Sequence, residues 1–345
     1  MKRLALLALI ALAVIMSVSY QWLAGTIDEP LGQAGVWHVE RGSSLHGVMG
    51  QLQPGVNKHQ LRAQRALLRW REQPLDIKAG EYRLSPIMSL TAILEMFAAG
   101  NVIARQATLL EGWTISQAKT YLATVDGLQN DLEGQAWQAF LLSLNLSPEQ
   151  HGEGWFAPET YHFSLGNKQS DILRQAHQRL RGWLDEAWQQ RRDDLPLAQP
   201  YDMLILASIV EKETALAAER GTIASVFLNR LRRGMRLQTD PTVIYGLGEA
   251  FDGDLRRRDL ASDSPYNTYR INGLPPTPIA LPSRDALLAV ALAPDTPYLY
   301  FVAKGDGSSY FSTSLEEHQA AVRRYQINRR SDYRSRPAQG SVNER

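Results

Sequence analysis

Residues 201–214 read YDMLILASIVEKET, a strongly apolar stretch that runs into two glutamates. The stretch predicts a buried helix. Residues two apart on a helix point about 200° from each other, so Glu211 and Glu213 cannot share a face. The positions three, four and seven residues before Glu213 carry the large apolar side chains Val210, Ile209 and Leu206. The same positions before Glu211 are less apolar and carry Ser208, Ala207 and Leu204. We therefore predict that Glu213 lies on the more apolar face.

A carboxyl group held against apolar side chains favours its neutral form, which raises its pKa toward the range of a general acid near neutral pH. Glu213 is on this ground the candidate catalytic acid. The alternative is that both glutamates are solvated at the helix end and paired with Lys212 or Arg220. The spacing of the residues is compatible with either interpretation.

Polar and aromatic segments follow this stretch. An amphipathic helix is predicted over 222–233, with a stop at Gly234. Residues 235–248 (MRLQTDPTVIYGLG) and 264–283 (SPYNTYRINGLPPTPIALPS) then combine amides, hydroxyls and tyrosines. Hydroxyl-rich ligands such as sugars are bound by such groups together with flat apolar faces. The candidate substrate-binding residues are Gln238, Asp240, Tyr245, Tyr266, Asn267 and Tyr269.

Composition and charge restrict the class of protein. The 345 residues are 44% hydrophobic and 21% charged, which suits two or more domains with their own cores. Lys and Arg total 37 against 36 Asp and Glu, so the net charge of +1 predicts no nucleic-acid partner. The chain has no cysteine, and its seven histidines lack ligand spacing. We therefore expect no metal and no other cofactor.

The N-terminus predicts export from the cytoplasm. An uncharged, apolar run over 4–27 is long enough to cross about 30 Å of hydrocarbon. Lys2 and Arg3 precede the run, Tyr20 and Trp22 lie near its far end, and acidic residues follow it. The positive-inside rule then predicts a single-pass inner-membrane protein whose bulk is periplasmic. A cleaved signal peptide is the alternative, and it exports the rest of the chain equally.

Residues 34–105 alternate short strands, glycine turns and capped helices. Val36–Val39 predicts a strand before a helix capped at Ser43 or Ser44, and Lys78–Leu84 predicts a strand before a helix that begins after Ser89 and ends at Gly100. The stretch VERGSSLHGVMGQL (39–52) resembles a LysM-type glycan-binding module. A generic adaptor domain is the alternative.

The remaining boundaries follow from composition. We expect a cytoplasmic stub and membrane helix over 1–27, a polar connecting region over 106–150, a larger domain over 151–327 and a disordered tail over 328–345. Helices are predicted to begin at Thr114 or Ser116 and to span 172–191. The fold class is α+β, with the LysM-like module and the larger α+β domain following one transmembrane helix.

Long motifs resemble one family. The segments ASIVEKET, IASVFLNRLRRGMRLQTDPTVIYGLG, YNTYRINGLPP, EGWFAPETY and PYLYFVAKGDGSSYFSTSLEEH together resemble the YceG-like family of endolytic murein transglycosylases. The resemblance covers nearly the whole chain. Two positions depart from the family pattern, because Thr277 stands where Gly is expected and Leu281–Ser283 replaces a Pro-Gly turn.

The resemblance implies a lytic transglycosylase with one essential glutamate, which falls on Glu213. Such an enzyme cleaves the bond between N-acetylmuramic acid and N-acetylglucosamine in peptidoglycan strands and leaves 1,6-anhydro ends. Thr214 beside the acid resembles the Glu-Ser pair of other lytic transglycosylases. Expected partners are peptidoglycan glycan strands, the inner membrane and penicillin-binding protein synthases.

Two other functions stay open at this point. A muramidase-type hydrolase would use Asp240 or Glu219 as a second carboxylate. A non-catalytic scaffold would use the LysM-like module to bind glycan and recruit synthases, and it would not need Glu213.

Overall fold

The structure is a computed structural model that describes residues 2–147, 151–214 and 216–327. The predicted disordered tail, 328–345, lies outside the described residues. The chain forms two compact units: unit 1 comprises Met1–Gln106 and His162–Asn167, and unit 2 comprises Ala107–Tyr161 and Lys168–Arg345. Helices and short strands occur in both units, which confirms a mixed α and β chain.

Unit 1 is built around one two-stranded sheet. Its elements are α1 (Lys2–Asp28), β1 (Gly35–Val39), α2 (Leu45–Leu52), α3 (Lys58–Trp70), β2 (Gly80–Leu84) and α4 (Leu90–Ala99). β1 and β2 pair antiparallel, with Gly35 opposite Leu84 and Val39 opposite Gly80. The two predicted strands therefore belong to a single sheet. Tyr82 and Phe97 lie in the core with their ring centroids 4.4 Å apart.

The predicted helix caps in this unit are present. The Ser44 hydroxyl accepts the N–H of Gly47, and the Ser89 hydroxyl accepts the N–H of Ala92. Gly100 ends α4 in the left-handed conformation (φ 75°), which glycine adopts without steric cost. The pattern of the sequence did not predict α3, although Asn57 and Gln60 form a capping box at its start.

The apolar helix α1 continues into the core of unit 1. It is long and apolar enough to cross a membrane, and its most apolar part is exposed. At its C-terminal end, however, Ile27 is fully buried, and Leu23 and Ala24 pack against the same core. Gln64 of α3 donates a 3.1 Å hydrogen bond to the Thr26 hydroxyl. The C-terminal end of α1 is thus part of the core of unit 1.

Unit 2 is mainly helical. Its elements are α5 (Ile115–Thr124), α6 (Gln135–Ser143), α7 (Gln169–Gln190), α8 (Pro200–Glu213), α9 (Ala217–Arg232), α10 (Asp240–Leu247), α11 (Arg257–Leu260), α12 (Arg284–Ala291), the antiparallel pair β5 (Tyr300–Ala303) and β6 (Ser309–Ser312), and α13 (Leu315–Val322). A further two-stranded sheet pairs β3 (Arg105–Thr108) with β4 (Thr160–Phe163).

Helix α8 occupies the centre of unit 2. Every residue from Met203 to Val210 is buried, because α7, α9 and α12 all pack against α8. The expected difference between an apolar and a polar face of this helix is therefore absent. Residues 106–150, expected from composition to connect two domains, include α5 and α6, and Phe140 and Leu141 of α6 are buried. Apolar side chains recur within that polar stretch and allow it to pack.

Candidate active site

The candidate acid, Glu213, is the last residue of α8. Thr214 follows in an extended conformation (φ −144°, ψ 137°), so the helix stops directly after the carboxyl group. Glu213 is partly buried and lies on the wall of a cavity of about 430 Å³. The apolar interior of unit 2 thus holds the acid from one side, and the cavity gives access to it from the other.

Three buried threonines orient this carboxyl group. The Thr239 hydroxyl donates a hydrogen bond to Glu213 Oε1. Thr239 is itself fixed, because its N–H donates to the Thr268 hydroxyl at 3.0 Å and its carbonyl accepts from Thr242 at 2.8 Å. The hydroxyls of Thr242 and Thr268 also lie 2.8 Å apart. With Oε1 accepting this hydrogen bond, Oε2 is the oxygen that can carry the acidic proton.

The electrostatic surroundings of Glu213 favour its neutral form. Burial raises the pKa of its carboxyl from 4.5 to about 7, the Thr239 hydrogen bond opposes the rise, and the negative charge of Asp240 adds to it. Arg230, only 8% exposed, also opposes the rise in the pKa of Glu213 but is held mainly by carbonyl oxygens. Its Nε donates to Leu299 and its Nη1 donates to Leu237, both at 2.7 Å. A carboxyl group with this pKa can donate a proton near neutral pH.

The wall of the cavity combines polar and apolar groups. Gln238, Asp240 and Tyr269, three of the predicted substrate-binding residues, line it together with Glu213. The Tyr269 hydroxyl donates to Asp240 Oδ1 at 2.6 Å. Further lining comes from β5 and α13, namely Tyr300, Phe301, Val302, Leu315, His318 and Val322. This mixture of hydroxyl, amide and flat apolar groups suits a sugar.

Gln238 has an uncommon backbone conformation. Its φ of 51° lies in the left-handed region, which costs a residue other than glycine roughly 1 kcal/mol or more. A 3.1 Å hydrogen bond from its N–H to the Thr268 carbonyl holds it there. The conformation directs the chain so that Gln238 and Thr239, adjacent in sequence, both reach the site.

The other three predicted residues do not line this cavity. Tyr245 and Tyr266 pack edge to face, with centroids 4.9 Å apart, and the Tyr266 hydroxyl lies 2.8 Å from that of Thr277. Asn267 is fully buried, and its amide donates to the carbonyls of Leu260 and Ser262 at 3.0 and 2.8 Å. These side chains organise the 260–277 segment that carries Tyr269.

The neighbours of the acid are held by other parts of unit 2. Glu211, whose side chain is only 5% exposed, accepts the N–H and the hydroxyl of Ser283 and lies 3.6 Å from Arg220. Lys212 donates to the carbonyl of Gly112 at 3.1 Å. Glu219, the other carboxylate considered for a hydrolase, accepts the N–H of Ser309 and does not line the cavity. Asp240 is thus the carboxylate that shares the cavity with Glu213.

A second buried acid stands apart from the cavity. Glu153 is 2% exposed, and burial raises the pKa of its carboxyl from 4.5 to about 7. It accepts the N–H of Ile115 at 3.0 Å and the hydroxyl of Tyr245 at 3.1 Å. Ile115 begins α5, so its N–H has no partner within the helix. Glu153 therefore joins α5 to α10, and this explains the polar start of the EGWFAPETY segment.

Several residues of the site were not predicted. Thr239 and Arg230 lie inside the quoted motifs, but nothing in their spacing separates them from surface polar residues. Tyr300 and His318 reach the cavity from the C-terminal segment, with their rings stacked 5.2 Å apart. Among the residues that the structure describes, no group of three or more His, Cys, Asp or Glu side chains could hold a metal ion.

Replacing Thr239 by valine tests the role of its hydroxyl. The variant keeps the shape of the side chain and loses the hydrogen bond to Glu213, so any activity that depends on this acid should fall by about 10- to 100-fold. Since that bond lowers the pKa of Glu213, the fall of activity with rising pH should move to higher pH. Thr239→Ser should restore both. A valine variant with the pH profile of the wild type would contradict this role.

Comparisons with known proteins agree on one family. The model of the YceG-like family matches residues 37–324. An endolytic murein transglycosylase of Bacillus subtilis (strain 168) is 34% identical over 266 residues, covering 72% of this chain and 73% of that protein. One of Streptococcus pneumoniae serotype 2 is 29% identical over 284 residues. The chain spans 50% of the length of this streptococcal relative.

A solved structure shares the fold. The crystal structure of a YceG-like protein from Listeria monocytogenes matches with a TM-score of 0.52 and 28% sequence identity. The match covers 84% of this chain and 99% of that one.

Proposed function

The chain belongs to the YceG-like family, and from that membership we propose that it is an endolytic murein transglycosylase, a lyase that cuts peptidoglycan glycan strands. The observation that carries the proposal is the position of Glu213, a carboxyl group with a pKa of about 7 at the wall of a cavity suited to sugars. The names of the relatives support the same activity. We expect the enzyme to trim or terminate nascent strands.

The proposed mechanism uses Glu213 twice. As an acid it protonates the oxygen between N-acetylmuramic acid and N-acetylglucosamine, and the bond from that oxygen to C1 of the muramyl residue breaks. As a carboxylate it then accepts the proton of the muramyl C6 hydroxyl while that oxygen bonds to C1. The product is a 1,6-anhydro end, and no water is consumed. Gln238, Asp240 and Tyr269 are the residues that we propose to contact the sugars, because they line the cavity beside the acid.

One observation favours a second candidate activity. Asp240 shares the cavity with Glu213, so a muramidase-type hydrolase could use it to activate water. Purified glycan strands, digested by the full chain in detergent and analysed by mass spectrometry, distinguish these functions. We expect fragments of intermediate length with anhydro ends. Reducing ends would indicate the hydrolase, and uncut strands would indicate a glycan-binding scaffold.

Activity is expected to depend on pH through Glu213. Its carboxyl must be protonated to act as an acid, so cleavage should decline as pH rises through about 7. Glu153, whose pKa is also raised to about 7, titrates in the same range but lies outside the cavity. The Glu153→Gln variant is therefore the control, and it should retain the decline. A rate that is independent of pH between 6 and 8.5 in both proteins would contradict the assignment.

Glu153 also gives a stability control. Because the pKa of Glu153 is raised in the folded state, its neutral carboxyl group contributes stability. This contribution is fully present below about pH 4.5 and is lost as the pH rises through about 7. The loss on ionisation is about 3 kcal/mol. Unfolding and activity should be measured over the same pH range, so that a decline of activity in a folded protein is separated from unfolding.

We further propose that α1 remains attached as a single-pass anchor in the inner membrane, with the rest of the chain in the periplasm. The packing of Ile27, Leu23 and Ala24 in unit 1 supports retention, because cleavage within this turn would disrupt a folded core. The LysM-like module over 34–105 would then bind glycan close to the membrane, and the catalytic domain over 151–327 would cut it. Penicillin-binding protein synthases are the proposed source of the strands.

Retention of α1 has a direct test. Intact mass or N-terminal sequencing of the protein from the membrane fraction should find the uncleaved N-terminus, and a reporter that works only outside the cytoplasm should be active when fused after Arg345. Recovery of a soluble form that begins near residue 25 would support a cleaved leader instead.

A further inference from the structure

A row of unpaired cations lies on the exposed side of α3. Lys58, Arg62, Arg65 and Arg69 follow one another at intervals of four, three and four residues, which places them along one face of the helix. All four are exposed, and none has an ion-pair or hydrogen-bond partner within the described part of the chain. The sequence from 53 to 71 contains no acidic residue, although the whole chain has a net charge of only +1.

The C-terminal end of α3 touches the apolar helix α1. Arg71, directly after α3, lies 2.7 Å from Asp28, and it donates to the hydroxyl of Tyr20 at 3.1 Å. Trp70 meets the Tyr20 ring edge to face, with centroids 6.1 Å apart, yet remains 72% exposed. An exposed tryptophan beside a tyrosine and an arginine is typical of the boundary between hydrocarbon and headgroups.

The packing of α1 indicates where along this helix the boundary between hydrocarbon and headgroups lies. Because residues 23–27 pack in unit 1, the part of α1 that faces lipid ends near residue 22, next to Tyr20. Gln64 contacts Thr26, which lies six residues, and therefore about 9 Å, beyond Tyr20 along α1. The headgroup layer is about 5 to 8 Å thick on each side of the bilayer. The segment from Gln64 to Trp70 thus lies at the level of the headgroups.

We propose that the C-terminal half of the exposed face of α3 binds anionic lipid headgroups through Arg65 and Arg69, with Trp70 at the hydrocarbon boundary. The inference rests on the proposed anchoring of α1 in a membrane. Each cation near an anionic surface strengthens association by about fivefold. The contact holds unit 1 against the bilayer, in addition to the attachment that α1 provides.

The absence of cysteine makes the proposal testable on the full chain. Ala66, exposed on α3, is replaced by cysteine and labelled with a fluorophore, which is then the only thiol label on the protein. The protein is reconstituted in phosphatidylcholine vesicles with or without phosphatidylglycerol, and a quencher attached to a lipid headgroup reports proximity. We expect strong quenching with phosphatidylglycerol and roughly 25-fold weaker association of unit 1 in Arg65→Gln/Arg69→Gln.

A matched variant controls for net charge. Arg41→Gln/Arg83→Gln removes two exposed arginines of unit 1 outside α3 and should quench like the parent protein. Equal quenching in all variants would overturn the proposal, and so would quenching that is independent of phosphatidylglycerol. An effect of Arg65→Gln/Arg69→Gln on binding to peptidoglycan sacculi, without an effect on quenching, would also overturn it. Resistance of the vesicle-bound protein to alkaline extraction reports the anchor separately, so that its failure is distinguished from failure of the α3 contact.

Discussion

Replacing Glu213 by glutamine is expected to abolish strand cleavage, by at least about 10³-fold, without unfolding the protein. Glutamine matches the carboxyl group in size and can still accept the Thr239 hydrogen bond through its amide oxygen, but it has no acidic proton to donate. The fold should be kept, because the neutral side chain resembles the neutral acid that burial favours. Above pH 7 the variant should resist unfolding at least as well as the wild type.

Glu211→Gln is the matched control, two residues earlier on the same helix. Its amide oxygen can still accept from Ser283, and only the attraction to Arg220 is lost. We expect a lower midpoint of thermal unfolding and most of the cleavage activity at temperatures where the variant is folded. If Glu211→Gln were folded but inactive and Glu213→Gln were active, the catalytic acid would be Glu211 and not Glu213.

The second large effect concerns the chemistry of the product. Muramyl termini should carry the 1,6-anhydro ring, with a mass about 18 Da below that of a reducing end because one water is not added. The C6 hydroxyl is held in the same molecule as C1, an advantage that reaches effective molarities of about 10⁵ M. Water activated by a second carboxylate is the competitor, and Asp240 is the group in the cavity that could activate it.

Asp240→Asn separates the two reactions. In a transglycosylase the variant should still produce anhydro ends, at a lower rate if the hydrogen bond to Tyr269 matters for sugar binding. In a hydrolase it should lose nearly all activity, and the parent protein should give reducing ends. Reducing ends from the parent enzyme would reject the transglycosylase, and an inactive Asp240→Asn variant would then assign Asp240 as the base.

Glu213 could be proposed as the acid from sequence, but the apolar helix face that predicts it is absent from the structure. The spacing of apolar residues predicts a more apolar face for Glu213, whereas α8 is buried on all sides and the side chain of Glu211 is itself only 5% exposed. What distinguishes the two glutamates is their partners: Glu211 meets Ser283 and Arg220, and Glu213 meets Thr239 and a cavity. Such contacts come from segments far apart in the chain, and local spacing carries no information about them.

Local signals predicted local structure better than they predicted the site. Ser44, Ser89, Thr114 and Gly100 lie at helix ends because capping depends on a few adjacent residues. Asn267 shows the opposite case. An asparagine in a polar loop resembles a ligand for sugar, yet its amide is buried and bonded to backbone carbonyls. Burial of a loop depends on what packs over it, which the segment itself does not encode.

The last turn of α8 also bears on how the protein folds. Its hydrogen bonds join residues that are 26, 72 and 100 positions apart, through Glu213 to Thr239, Glu211 to Ser283 and Lys212 to Gly112. Contacts between residues so distant in sequence are slow to form, because each closes a long loop of chain before it gains any stability. We therefore expect this turn to be completed late in folding. A partly folded chain would then lack the contacts that hold Glu213 at the cavity, and only fully folded molecules would carry the complete candidate site.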